Sequence, residues 1–114
     1  MINHIAAHQF EAHVIKTNKK LVIVDFWAPW CQPCKMMDPV FLEVQGNFVR
    51  DLDVIKINVD DEQKLAQVYN VRSIPTMLFF MDVKGENDGK KIVHSEIGFV
   101  SKADLMKKVI ELLS

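Results

Sequence analysis

Leu21-Val22-Ile23-Val24-Asp25-Phe26-Trp27-Ala28-Pro29-Trp30-Cys31-Gln32-Pro33-Cys34-Lys35 carries an apolar run directly into the only two cysteines of the chain. The run Leu21 to Phe26 has the unbroken hydrophobicity of a buried central strand in a parallel sheet. From Pro33 to about Val49 the pattern becomes helical, with Met37, Val40, Phe41, Val44 and Phe48 forming one apolar stripe. Pro33 falls in the first turn, where its missing N–H costs little, whereas Pro39 lies inside the helix and is expected to kink it. The two thiols stand at i and i+3, on one face of a helix and close enough to bridge. Cys31 sits where strand gives way to helix, so unpaired N–H groups and the positive end of the macrodipole favour its thiolate. Cys34 lies a turn inside and is expected to be the shielded member of the pair. An exposed attacking thiol beside a shielded resolving thiol is what dithiol exchange requires.

Two charges interrupt apolar runs on either side of this stretch. Asp25 occupies a buried strand position, where an ionised carboxylate needs a raised pKa or a partner, and its place just before the cysteines suits a proton acceptor. Lys56 interrupts the second β-rich run, Val54 to Val59. If that strand pairs in register with Leu21 to Phe26, its ammonium approaches Asp25 and tunes its titration; otherwise it snorkels to the surface.

Outward from this centre, Ile2 to Ile5 reads as a short edge strand and Ala7 to Thr17 as a helix with Phe10 and Val14 on one face. Asp60 and Gln63 have capping-box spacing ahead of a short helix carrying Leu65, Val68 and Tyr69, which Asn70 ends. Ile74-Pro75 leads into the strand Met77 to Met81, and a turn-rich segment from Asp82 to Gly89 joins it to a second extended run from about Lys90 to Glu96. Ser101 caps a last helix with Leu105, Val109 and Leu112 on one face. The order is β-α-β-α-β-α-β-β-α, an α/β plan with helices on both sides of a central sheet.

A chain of 114 residues, about half apolar and a quarter charged, is read as one domain spanning 1–114. That length supports a core without disulfide staples or structural metal, which leaves the cysteines free for chemistry. A net charge of −1 with interspersed signs makes no case for nucleic acid or an anionic membrane. The chain contains no apolar segment of membrane-spanning length, and its first residues do not resemble a signal peptide, so the cytoplasm is expected. There a Cys-x-x-Cys pair is catalytic or metal-binding rather than a structural staple. Metal is the weaker alternative: two thiolates leave a tetrahedral ion short of two ligands, and neither His94 nor the set His4, His8 and His13 completes it convincingly.

The chain resembles the thioredoxin family over nearly its whole length. The likeness is carried by Val24 through Lys35, Pro39, Lys56-Ile57-Asn58-Val59-Asp60, Ile74-Pro75-Thr76 and Gly98, in that order and spacing. It implies a mixed sheet of about five strands flanked by four helices, with a cis Ile74-Pro75 bond facing the cysteines. It also implies that Cys31 attacks a target disulfide and Cys34 resolves the mixed disulfide. Asp25, with Lys56 nearby, would then assist deprotonation of Cys34. Trp30, Gln32, Pro33, Ile74, Pro75, Gly98 and Phe99 would border the substrate groove, and Trp27 would pack beneath the active-site turn. Three features depart from the usual family pattern: Gln32 stands where glycine is usual, Ser73 where glycine is common, and the tip spanning 82–89 is longer.

The leading expectation is a monomeric protein-disulfide reductase that binds no cofactor and draws electrons from NADPH through a thioredoxin reductase. A thioredoxin-like oxidant or isomerase, and a binding module docking to a larger assembly without turnover, are the alternatives.

Overall fold

The computed structural model describes residues 2–114. Five strands form one mixed sheet in the order β1-β3-β2-β4-β5: β1 Ile2–His4, β2 Leu21–Trp27, β3 Leu52–Asn58, β4 Thr76–Met81 and β5 Lys91–Ile97. β1 and β2 flank β3 in parallel, while β4 runs antiparallel to both β2 and β5. Three α-helices pack on this sheet, α1 Gln32–Asn47, α2 Gln63–Val68 and α3 Lys102–Leu113.

Side-chain alternation along the strands divides the core into two layers. Leu21 and Ile23 of β2 join Leu52, Val54, Met77 and Phe79 under α1 and α3, where Met37, Phe41, Val44, Leu105 and Val109 meet them. Val22, Val24 and Phe26 face the other way, onto Ile55, Ile57, Leu78, Phe80, Phe10, Val14 and Ala66. Because every β2 side chain from Leu21 to Phe26 is buried, alternation alone could not separate the faces in the sequence. The apolar stripe of α1 is the one its spacing predicts, and the helix continues through Pro39. Ser101 caps α3 by accepting the Asp104 N–H at 3.1 Å.

The N-terminal helix differs from expectation. In place of a regular α-helix over 7–17 there is a 3-10 turn, Ala7–Gln9, followed by a π-helical segment, Glu11–Ile15. Phe10 and Val14 are buried as their spacing requires. The end of the segment is claimed by the hairpin, since the Lys90 N–H donates to the Ile15 carbonyl and the Lys90 ammonium to that of Thr17. Those carbonyls therefore have partners that a continuing helix would compete for.

Gly89 sits at this junction with φ +105°, and a Cβ there would lie 2.4 Å from Ile15 Cγ2. Gly85, at φ +89° in the same connection, has open space around it. Gly89→Ala is therefore expected to lower stability by roughly 2–3 kcal/mol and Gly85→Ala by only about 1 kcal/mol. Urea unfolding of the two variants checks the difference.

The short helix α2 also starts differently. It begins at Gln63 with no side-chain cap, and the Asp60 carboxylate that the capping-box spacing singles out is engaged elsewhere. Asn70 adopts φ 55°, the left-handed conformation expected at the end of this helix.

Candidate active site

β2 ends at Trp27, and the short connection Ala28 to Trp30 delivers the chain to Cys31, the N-cap of α1. Cys31 has extended backbone angles, φ −92° and ψ 110°, and its sulfur accepts the Cys34 N–H at 3.3 Å. Pro33 occupies the first turn without breaking it. Cys31 and Cys34 form a disulfide with their Cα atoms 5.3 Å apart. Both are more enclosed than a freely exposed thiol, yet they differ: Cys31 retains 5% exposure and Cys34 none. They pack with Ala28, and Trp27, Val59 and Ile74 close around them.

The surface beside Cys31 is built from separate parts of the chain. Trp30 is 70% exposed, its indole N–H held by Asp60 Oδ2 at 3.0 Å. That bond is what Asp60 does in place of capping α2. Ile74-Pro75 is a cis peptide bond, and the Gly98 N–H donates to the Pro75 carbonyl at 2.8 Å. Gly98 has φ +88°, a conformation that favours glycine. Phe99 follows it half-exposed, and the Val100 N–H contacts Met37 Sδ of α1 at 3.3 Å. Ile74, Pro75, Gly98 and Phe99 are thus tied to the cysteine-bearing helix, with Gln32 and Pro33 exposed on its first turn.

Behind the sulfurs, Asp25 and Lys56 are register partners across the β2–β3 pair, and alternation points both toward α1. Asp25 is fully buried, and neither of its carboxylate oxygens has a hydrogen-bond partner. Burial raises its pKa from 3.8 to about 7, against an opposing pull from Lys56. The Lys56 ammonium itself does not bond Asp25. It forms an ion pair with Asp38 Oδ1 on α1 and lies 4.5 Å from the centre of the Trp27 ring, a cation–π contact. His4 packs edge-on against the same indole at 5.5 Å. Asp38 and the Trp30–Asp60 bond are the site features that sequence reasoning missed. The only sequence signal for Asp38 was its place on the helix, four residues after Cys34.

No group of three or more metal-ligating side chains capable of holding an ion occurs among the described residues. None of their helices is long and apolar enough to cross a membrane.

A bridged cysteine pair at a helix start, with a cis proline beside it and a buried carboxylate behind it, defines a thiol–disulfide oxidoreductase. The thioredoxin family model matches residues 1–111. The chain is 42% identical over 94 residues to thioredoxin of Bacillus subtilis, covering 82% of this chain and 84% of that protein. With thioredoxin of Pyropia yezoensis it shares 37% identity over 113 residues, 99% of this chain and 98% of that one. Chloroplastic thioredoxin z, a solved structure, superposes with a TM-score of 0.84 at 24% identity, covering 98% and 94% of the two chains. This chain belongs to the thioredoxin family, and its activity is protein-disulfide reduction through a Cys31/Cys34 dithiol–disulfide cycle. As in thioredoxins generally, the chemistry needs no bound cofactor and draws on disulfide substrates and a reductase.

Proposed function

We propose that this chain acts as a monomeric, single-domain reductant of protein disulfides in the cytoplasm, re-reduced by a thioredoxin reductase at the expense of NADPH. In this cycle the Cys31 thiolate attacks one sulfur of the substrate disulfide. A Cys31–substrate bond forms, the substrate S–S bond breaks, and the released thiolate takes a proton. Asp25 takes the proton of Cys34, whose thiolate then attacks the Cys31 sulfur, closing the Cys31–Cys34 bond and releasing the second substrate thiolate. Two electrons pass from the dithiol to the substrate. Trp30, Ile74, Pro75, Gly98 and Phe99 border the groove in which the substrate lies, Gln32 and Pro33 meet it from the helix start, and Lys56 tunes Asp25.

The observation that carries this reading is the difference between the two sulfurs: Cys31, at the helix N-cap, keeps 5% exposure, while Cys34 is sealed. The helix N-terminus stabilises a thiolate at Cys31, and the buried carboxylate with a pKa of about 7 suits proton exchange near neutrality. A coupled assay tests it. NADPH oxidation is expected only when reductase, this chain and a protein disulfide are all present. Inactivity with several competent reductases would overturn the reading.

A further inference from the structure

We propose that Asp38 is a positioning residue that, through its ion pair with Lys56, holds the ammonium off the Asp25 carboxylate and so preserves Asp25 as a strong proton acceptor. The proposal rests on the reading of Asp25 as the acceptor for Cys34. Asp25 and Lys56 are direct neighbours in the sheet and face the same side, so the flexible lysine stem has a buried carboxylate within its natural reach. The ammonium nevertheless bonds Asp38 and rests over Trp27, and both Asp25 oxygens are left without a donor. An ammonium bonded to Asp25 would stabilise the carboxylate and weaken it as a base.

Asp38 opposes that in two ways. It occupies the cation, and its own negative charge disfavours ionisation of Asp25. The electrostatic balance at Asp25 has this form, with burial raising the pKa most, Lys56 lowering it and Asp38 raising it. Further titratable groups lie around Lys56: His4 of β1 is its register partner, its pKa lowered by burial and by Lys56, and Asp61 and Glu62 line with it a small surface pocket that includes Trp27. From β4 the residue opposite Asp25 is Met77, which adds no charge.

The test is titration of the Asp25 side-chain carboxyl by carbon-13 NMR in the oxidised protein, where neither sulfur titrates. Asp38→Asn is expected to move the midpoint to lower pH by about one unit, and Asp38→Glu to restore most of it. Lys56→Met is expected to raise the midpoint, and in that background Asp38→Asn should move it less than half as far. An Asp38→Asn midpoint that stays in place or rises overturns the proposal, as does an undiminished shift when Lys56 is gone. In the reduced protein, the acid limb of mixed-disulfide resolution is expected to follow the Asp38→Asn shift. If Asp25→Asn leaves that limb intact, the acceptor reading fails, while the carboxyl titration still decides whether Asp38 controls Asp25.

Discussion

Cys31→Ser is expected to abolish reduction of protein disulfides, with turnover falling at least about 10³-fold, because a hydroxyl at this position is not ionised near neutral pH. The remaining thiol cannot substitute for it. Cys34 is fully buried beneath Trp27, Val59 and Ile74, so a protein disulfide has no approach to its sulfur. Cys34→Ser should lose steady-state turnover as completely, for the different reason that nothing displaces the substrate from Cys31. The coupled NADPH assay records both losses. Steady-state activity retained by either variant would mean that a single sulfur suffices, which the two-step cycle does not allow.

Asp25→Ala is expected to stabilise the protein while slowing its chemistry. The carboxyl is buried without a hydrogen-bond partner, and burial raises its pKa to about 7 from the ordinary 3.8. The folded state therefore binds this proton more tightly than the unfolded chain does. Its contribution is fully present below about pH 4 and is lost as pH rises through about 7, a change on the order of 4 kcal/mol. Removing the carboxyl removes that slope. Lys56 is not orphaned, because its ion pair is with Asp38. Above pH 8 the oxidised variant should exceed wild type by roughly 2–4 kcal/mol, allowing for the small void left behind, and most of that margin should vanish near pH 4. Denaturant unfolding across this range checks the sign. A variant less stable than wild type at pH 8 would show that Asp25 has a favourable partner in the fold. Loss of the base should meanwhile slow resolution of mixed disulfides by roughly 10²-fold near neutral pH.

Much of this was legible in the chain. The run Leu21 to Phe26 has the β-branched, unbroken hydrophobicity of a buried central strand, the spacing of Met37, Phe41 and Val44 set the inward face of α1, and Asp25 stood out because an ionisable group in such a strand needs a reason. The resemblance supplied the cis Ile74-Pro75 bond, since local sequence does not distinguish the two isomers reliably. What stayed hidden were contacts between elements. Asp38 meets Lys56 only because the phase of α1 over β3 brings a half-exposed helix position to a strand 18 residues on. Asp60 has the local spacing of a helix cap, yet the exposed Trp30 indole, 30 residues away, takes its carboxylate. The N-terminal segment follows the same rule: Phe10 and Val14 were readable as core, but the hairpin that claims the Ile15 and Thr17 carbonyls lies far along the chain.

The division of labour between the two sulfurs is tested most directly by mass spectrometry of covalent adducts formed when reduced Cys34→Ser and Cys31→Ser proteins meet the same disulfide-containing substrate. Cys34→Ser should accumulate a one-to-one adduct joined through Cys31, which added dithiol releases, and Cys31→Ser should form none at the same concentrations. Equal accumulation by both variants, or an adduct on Cys34 alone, would contradict the assignment of Cys31 as the attacking thiol.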